Sequence, residues 1–339
     1  MSHHPLVSVI IPCYNGASYI RQALDSISMQ TYTHLEILVL DDGSTDDSYR
    51  IIQECSRKDD RIKVIRHERN ERLIATLNKG IALARGKYIA RMDADDIALP
   101  DRIEKQVRFM EAHPDVGISG TFITAFDEQG RQRKCRLPVT PGRIKAYLFT
   151  ACAFFHPTVM IRREILCRWT LRYEQQYYRA EDHALWLHIT AHARGANLPA
   201  VLLRYRLLTN SETRLADRNR EARRKVLMQI HQLALSKIGI MLSPQEQLLY
   251  SCSMVKMDIE LVKHRPVREL IRLYGRILAA ARQSGYVNAK YLKQYLSLRF
   301  IAFLYYSGQC WKIKHLLDAV RSTYFYTGTY LFIREKRGY

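Results

Sequence analysis

Apolar and polar positions over the first 130 residues follow two alternating periods. Short runs rich in Val and Ile occupy 7–12, 35–40, 62–66, 88–92 and 116–126, and their length and near-continuous apolar character predict strands covered on both faces. Between them, the segments 19–30, 46–56, 74–85 and 101–113 repeat apolar residues at helical spacing and predict helices. The punctuation agrees: Gly43 and Ser44 break the second strand before a helix, Gly86 ends the third helix, and Pro100 stands at the head of the fourth. Strands alternating with helices in this way are the sequence form of a mostly parallel sheet with crossover connections.

From 130 to 211 the pattern loosens, with a strand expected at 158–161, a helix at 182–193 and a strand at 200–205, read together as the second half of the same domain. Beyond Leu215 the strands stop. There Leu270, Leu273, Tyr274, Ile277 and Ala281 line one side of a helix while Arg272, Arg276 and Gln283 fall on another. The expected organisation is an α/β domain over 1–214 followed by a helical, basic region over 215–339.

Charge sharpens that division. The net charge is +20, and most of the excess of Lys and Arg falls beyond Leu215. A basic surface of this kind suits anionic lipid headgroups, nucleic acid or a phosphorylated substrate, and charge alone does not choose among them. The C-terminal third carries no groove-reading or RNA-binding motif, and acidic strand ends repel phosphate unless a metal intervenes, so no nucleic acid partner is expected. Seven scattered cysteines without C-x-x-C spacing suggest neither a zinc site nor a disulfide framework, which fits a reducing, cytoplasmic setting. The N-terminus lacks a secretory pattern. No stretch reaches the roughly 18 apolar residues of a membrane span, so a soluble or peripheral protein is expected.

Ligands of an open parallel sheet bind beyond the carboxyl ends of its strands. Three such ends are polar: Pro12-Cys13-Tyr14-Asn15-Gly16, Asp41-Asp42-Gly43-Ser44-Thr45-Asp46 and Met92-Asp93-Ala94-Asp95-Asp96. Clustered carboxylates repel one another and cost desolvation unless a cation or donor compensates. Asp93 and Asp95 could present oxygen ligands to Mg²⁺ or Mn²⁺, with substrate phosphates completing the shell, or the cluster could simply cap the next helix. Asp42 could accept from the imide N–H of uracil beside the Tyr14 ring, or it could serve an ordinary turn.

The three segments together resemble family 2 glycosyltransferases of the GT-A fold, a Rossmann-like nucleotide-diphospho-sugar transferase fold, in order and spacing over roughly residues 5–210. The resemblance implies that Pro12, Tyr14 and Asp42 contact the uracil of a UDP-sugar donor, that Asp93 reaches the ribose or the metal, and that Asp95 coordinates a divalent cation bound to the diphosphate. Asn78 matches a further family position near the donor. Glu181-Asp182, followed by His183-Ala184-Leu185-Trp186, resembles the acidic pair whose Asp deprotonates the acceptor hydroxyl; helix capping by Asp182 is the plain alternative. His156 resembles a family segment on the acceptor side, where Glu181 and Trp186 are also expected.

Two positions depart from the family pattern. A His that often serves as a further metal ligand is replaced by Leu208, and a loop Gly is replaced by Arg72, which meets the nucleotide or is solvated. By family habit the product is a bacterial surface glycan built on a lipid carrier, with the basic helices lying on an anionic inner membrane surface or packing with a solvated basic face. A sugar-nucleotide nucleotidylyltransferase is the competing enzyme class; it would want a Gly-rich basic loop after the first strand, and Tyr14-Asn15-Gly16-Ala17 is not one.

Overall fold

A computed structural model describes residues 4–208, 219–308 and 318–336. The chain divides into two compact units, one formed by 1–140 with 154–214 and the other by 141–153 with 215–339. The domain boundary expected at 214/215 lies outside the described residues.

The first unit is built on a nine-stranded sheet. Strand β1 (Val7–Cys13) and strand β2 (Leu35–Asp41) are buried at every position, in keeping with their near-continuous apolar runs, and Ser8 and Glu36 within them hydrogen-bond each other. Strands β3 (Ile62–Arg66) and β4 (Tyr88–Arg91) extend this parallel block, giving the order β3-β2-β1-β4. Helices α1 (Ile20–Ser28), α2 (Ser48–Ser56) and α3 (Leu73–Leu83) connect these strands. Chain progression reverses between β1 and β4, which makes the gap beyond their carboxyl ends a topological switch point.

The sheet then continues with mixed pairing. After β5 (Ile97–Ala98) and α4 (Arg102–Ala112) come β6 (Val116–Phe126), β7 (Gln132–Cys135), β8 (Met160–Arg162) and β9 (Arg194–Arg206). Strand β8 runs antiparallel to both β4 and β6, while β9 runs parallel to β6 and antiparallel to β5. Helices α6 (Arg163–Arg168) and α7 (Glu181–His192) lie between β8 and β9.

The second unit is helical. It begins with α5 (Pro141–Tyr147), within the range read from sequence as part of the α/β domain, and resumes with α8 (Arg220–Ser236), α9 (Pro244–Met254), α10 (Val267–Ser284), α11 (Ala289–Tyr306) and α12 (Thr323–Lys336). Local chemistry sets the ends: Ser243 and Glu246 form a capping box on α9, Asn288 accepts from two backbone N–H groups of α11, and Gly285 closes α10 in the left-handed conformation. Leu270, Leu273, Tyr274, Ile277 and Ala281 are all buried, as the spacing predicted. No helix among the described residues is long and apolar enough to cross a membrane.

Candidate active site at the strand ends

Register places the three polar strand ends together. Cys13 pairs with Asp41 and Ile10 with Arg91, so the chain beyond β1 is flanked by Asp42 on one side and Asp93 on the other. Pro12 is buried within β1, whereas Tyr14 is 49% exposed and presents its ring beyond the sheet. The loops after β1 and β2 are tied together: Ser44 Oγ accepts from Asn15 N at 3.0 Å, Ser48 Oγ from Gly16 N at 2.8 Å, and Asn15 Oδ1 from Thr45 N at 2.9 Å. Gly43 makes the tight turn possible. Its φ is +70°, and a Cβ there would stand 2.7 Å from the Arg69 carbonyl carbon.

Asp42 is buried and well supplied with donors. Its Oδ1 accepts from Glu71 N at 2.8 Å and lies 2.8 Å from His67 Nδ1, while its Oδ2 accepts from Arg72 N at 2.9 Å. It therefore shapes the loop before α3 in addition to bordering the Tyr14 side of the cleft. Arg72 sits in that loop at φ 71°, ψ 161°, a region that costs a residue bearing a Cβ roughly 1–3 kcal/mol.

The cluster beyond β4 is in a different condition. Asp93, Asp95 and Asp96 bring one oxygen each within 4.8 Å of one another. Arg91, a buried residue of β4, donates through both terminal nitrogens to Asp93. Arg206 N donates to Asp96 Oδ1 at 2.9 Å, and Arg206 Nε donates to the Asp95 carbonyl at 2.9 Å. The second Asp96 oxygen is buried without a partner, and no donor of another described residue reaches the Asp95 carboxylate. Burial, reinforced by the charge of Asp93, lifts Asp95 to about 6 and holds Asp96 well above the usual carboxylate range. Under-satisfied, closely spaced carboxylate oxygens are the donor set that a hard cation such as Mg²⁺ or Mn²⁺ takes. Leu208 offers no ligand atom, and no His joins this cluster among the described residues.

Glu181 and Asp182 occupy the first turn of α7. Asp182 is partly exposed and accepts from His183 N at 2.7 Å. Glu181 is 6% exposed with one oxygen unpartnered, and burial followed by the neighbouring Asp182 charge raises it to about 7. Tyr173 connects this pair to the rest of the site. Its hydroxyl lies 2.8 Å from His156 Nε2, and its ionisation is opposed by burial and by the charges of Asp182, Glu181 and Asp93. His156 is held neutral, its charged form disfavoured by burial and then by Arg91. Trp186 is fully buried, edge-on to Phe154 and His156, and so backs the His156–Tyr173 pair.

Asn78 is committed elsewhere: its amide donates to Tyr173 O at 2.8 Å and accepts from Tyr173 N at 3.0 Å. It positions Tyr173 from α3. Arg91, Tyr173 and Arg206 were not singled out as site residues by sequence reasoning. Arg91 left one signal, a charge inside a short apolar run two residues before Asp93. The others depend on contacts between distant parts of the chain.

Comparison with known proteins agrees with this geometry. The profile of glycosyl transferase family 2 matches residues 8–169. An uncharacterized glycosyltransferase of Haemophilus influenzae is 34% identical over 250 residues, covering 71% of this chain and 77% of the relative. The chain belongs to glycosyl transferase family 2. The amylovoran biosynthesis glycosyltransferase AmsE of Erwinia amylovora is 34% identical over 204 residues, 59% of this chain and 76% of that one. Among solved structures, S. aureus TarS 1–349 in complex with UDP-GlcNAc superposes with a TM-score of 0.60 at 18% identity, covering 90% of this chain and 91% of TarS 1–349. The mannosyltransferase PcManGT of Pyrobaculum calidifontis, in complex with GDP-Man and Mn²⁺, gives 0.56 at 18% identity over 99% and 89%. These likenesses establish the GT-A fold expected from the sequence, and the family establishes a glycosyltransferase.

Proposed function

We propose that the chain is an inverting, cation-dependent glycosyltransferase that moves a hexose or N-acetylhexosamine from a UDP-sugar to a glycan acceptor. The observation that carries this reading is the cluster of Asp93, Asp95 and Asp96 at the switch point of the sheet, with one Asp96 oxygen buried and unpartnered, beside Tyr14 and Asp42. Asp95 and Asp96 would hold the Mn²⁺ or Mg²⁺ ion, with Asp93 fixed beside them by Arg91. When bound, such an ion offsets negative charge on the departing diphosphate. Tyr14 offers an aromatic face to the uracil, and Pro12 and Asp42 border it. Asp182 takes the proton of the acceptor hydroxyl as that oxygen bonds to the anomeric carbon. The anomeric carbon–oxygen bond to the diphosphate breaks, and UDP leaves with the electron pair from the opposite face, inverting the centre. Glu181 and His156 flank the acceptor side, and Trp186 packs edge-on to His156.

The acceptor in this reading is a bacterial surface polysaccharide growing on a lipid carrier, which the name of AmsE supports by analogy. The basic helical unit would then rest on the anionic cytoplasmic face of the inner membrane, each surface Lys or Arg adding about 1 kcal/mol. Co-sedimentation of the full chain with anionic but not neutral vesicles is expected.

The enzymatic reading is tested by screening UDP- and GDP-sugars for metal-dependent nucleotide release, first by hydrolysis and then with acceptors. Asp182→Asn is expected to lose transfer by roughly a thousandfold, within the range of general-base contributions, while still binding UDP. Wild-type transfer rates in that variant would remove Asp182 as the base.

A further inference from the structure

The helical unit contains a cavity of about 400 Å³, within the size range of small-molecule sites. None of its lining residues is one assigned to transfer. Its walls come from the ends of α5 and α9, the turn at Lys256–Val262 and one face of α11. That face is helical in period: Tyr295, Leu298, Arg299, Ala302 and Tyr306 follow one another at three- and four-residue steps. The wall is chemically divided.

One part is apolar, made by Met254, Ile259, Leu298 and Ala302, with Met254 and Ile259 themselves buried. The other part is cationic and aromatic. Lys256 lies 4.2 Å over the Tyr306 ring, Arg299 lines the wall from the same face of α11 as Tyr306, and Tyr147 packs edge-on to Tyr295 at 5.0 Å. Some cations of this unit are paired with carboxylates, Arg224 with Asp258, Arg265 with Glu269 and Arg276 with Glu246. No described carboxylate pairs with Lys256 or Arg299. Two cations that no described carboxylate pairs with, at a concave and partly apolar wall, are what an anion attached to an apolar group would satisfy. A bare anion would leave the apolar wall wet.

We propose that this cavity is a binding site for a phosphate-bearing amphiphile, with the phosphate between Lys256 and Arg299 and the apolar part against Met254, Ile259, Leu298 and Ala302. The site stands independently of the donor cleft, so it can fail or hold whatever the fate of the transferase reading.

Titration calorimetry of the full chain with octyl phosphate, octanol and inorganic phosphate tests it. Octyl phosphate should bind saturably, with octanol and inorganic phosphate each weaker by roughly tenfold or more. Arg299→Gln and Lys256→Gln should each weaken octyl phosphate by roughly tenfold. Ala302→Trp should block binding by filling the cavity without altering charge, and circular dichroism checks that each variant is folded. Vesicles of phosphatidylcholine doped with phosphatidic acid identify the source: capture lost in Arg299→Gln marks a membrane lipid, and solution binding without capture marks a soluble phosphate ester. Equal affinity for octanol, unchanged affinity in both charge variants, or no saturable binding overturns the proposal.

Discussion

Asp42 beyond β2 and Asp96 beyond β4 flank the chain after β1 on its two sides, and their carboxylates differ in how fully they are satisfied. Asp42 is surrounded by the N–H groups of Glu71 and Arg72 and by His67 Nδ1. Asp96 is buried with one oxygen that finds no donor, and the half-buried Asp95 stands beside it and Asp93 with its carboxyl raised by burial and by the charge of Asp93. The same side chain thus does two jobs. Where donors saturate a carboxylate, it organises a loop and adds to stability; where burial and like charge leave it short, stability is given up to hold a site ready for a cation.

The largest test of that contrast is Asp95→Asn. Nucleotide release should fall by roughly a hundredfold to a thousandfold, the loss of several kcal/mol of charge stabilisation, while the denaturation midpoint stays the same or rises. A midpoint that drops instead would place Asp95 with Asp42 among the structural aspartates. Asp42→Ala should do the converse first, costing about 3 kcal/mol of stability through stranded N–H groups, read in urea unfolding without nucleotide present. No change in unfolding there would erase the distinction from the other side.

Titration adds a third test. Asp95 is raised from its ordinary 3.8 to about 6 in the folded protein, so its contribution to stability is complete below about 4 and is lost as pH rises through about 6. A divalent cation needs the ionised carboxylate and reverses that trend. Thermal shift by Mn²⁺ should therefore grow from pH 5 to pH 7, reaching about 2.7 kcal/mol at roughly a hundredfold excess over the dissociation constant. A shift independent of pH would argue against Asp95 as a ligand. The smallest effect is expected for Arg72→Gly, which relieves backbone strain and should stabilise by about 1 kcal/mol. Nucleotide release that falls in this more stable variant would show that the Arg72 side chain works in the cleft.

What the sequence made legible follows from the range of the interactions involved. β1 and β2 were plain because every position is buried, and helices α1 to α4 because one face of each is. The polar strand β7 has no such pattern: it is placed by its pairing to β6, with Cys135 at its end packed against the core. The first half of β9 carries Gly195 and Pro199, which read as loop but are tolerated where the register with β6 shifts. β5 is two residues long and exists only through β9. In the site, Asp93, Asp95 and Asp182 stood out because their motifs are local. The saturation of Asp42 and the hold of Asn78 on Tyr173, 95 residues away, depend on chain segments that meet only in the fold.

Helix α5 carries a consequence for how this protein can be taken apart. Residues 141–153 leave the sheet unit, join the helical unit and return at Phe154, so that Ile144, Ala146, Leu148 and Phe149 lie buried in the helical core. Phe149 also accepts there from the Tyr250 hydroxyl at 2.8 Å. The units are therefore interleaved in sequence. A chain cut after residue 214 would keep this segment while losing the core that receives it, and an exchange of helical units between relatives would need two crossovers to carry both pieces.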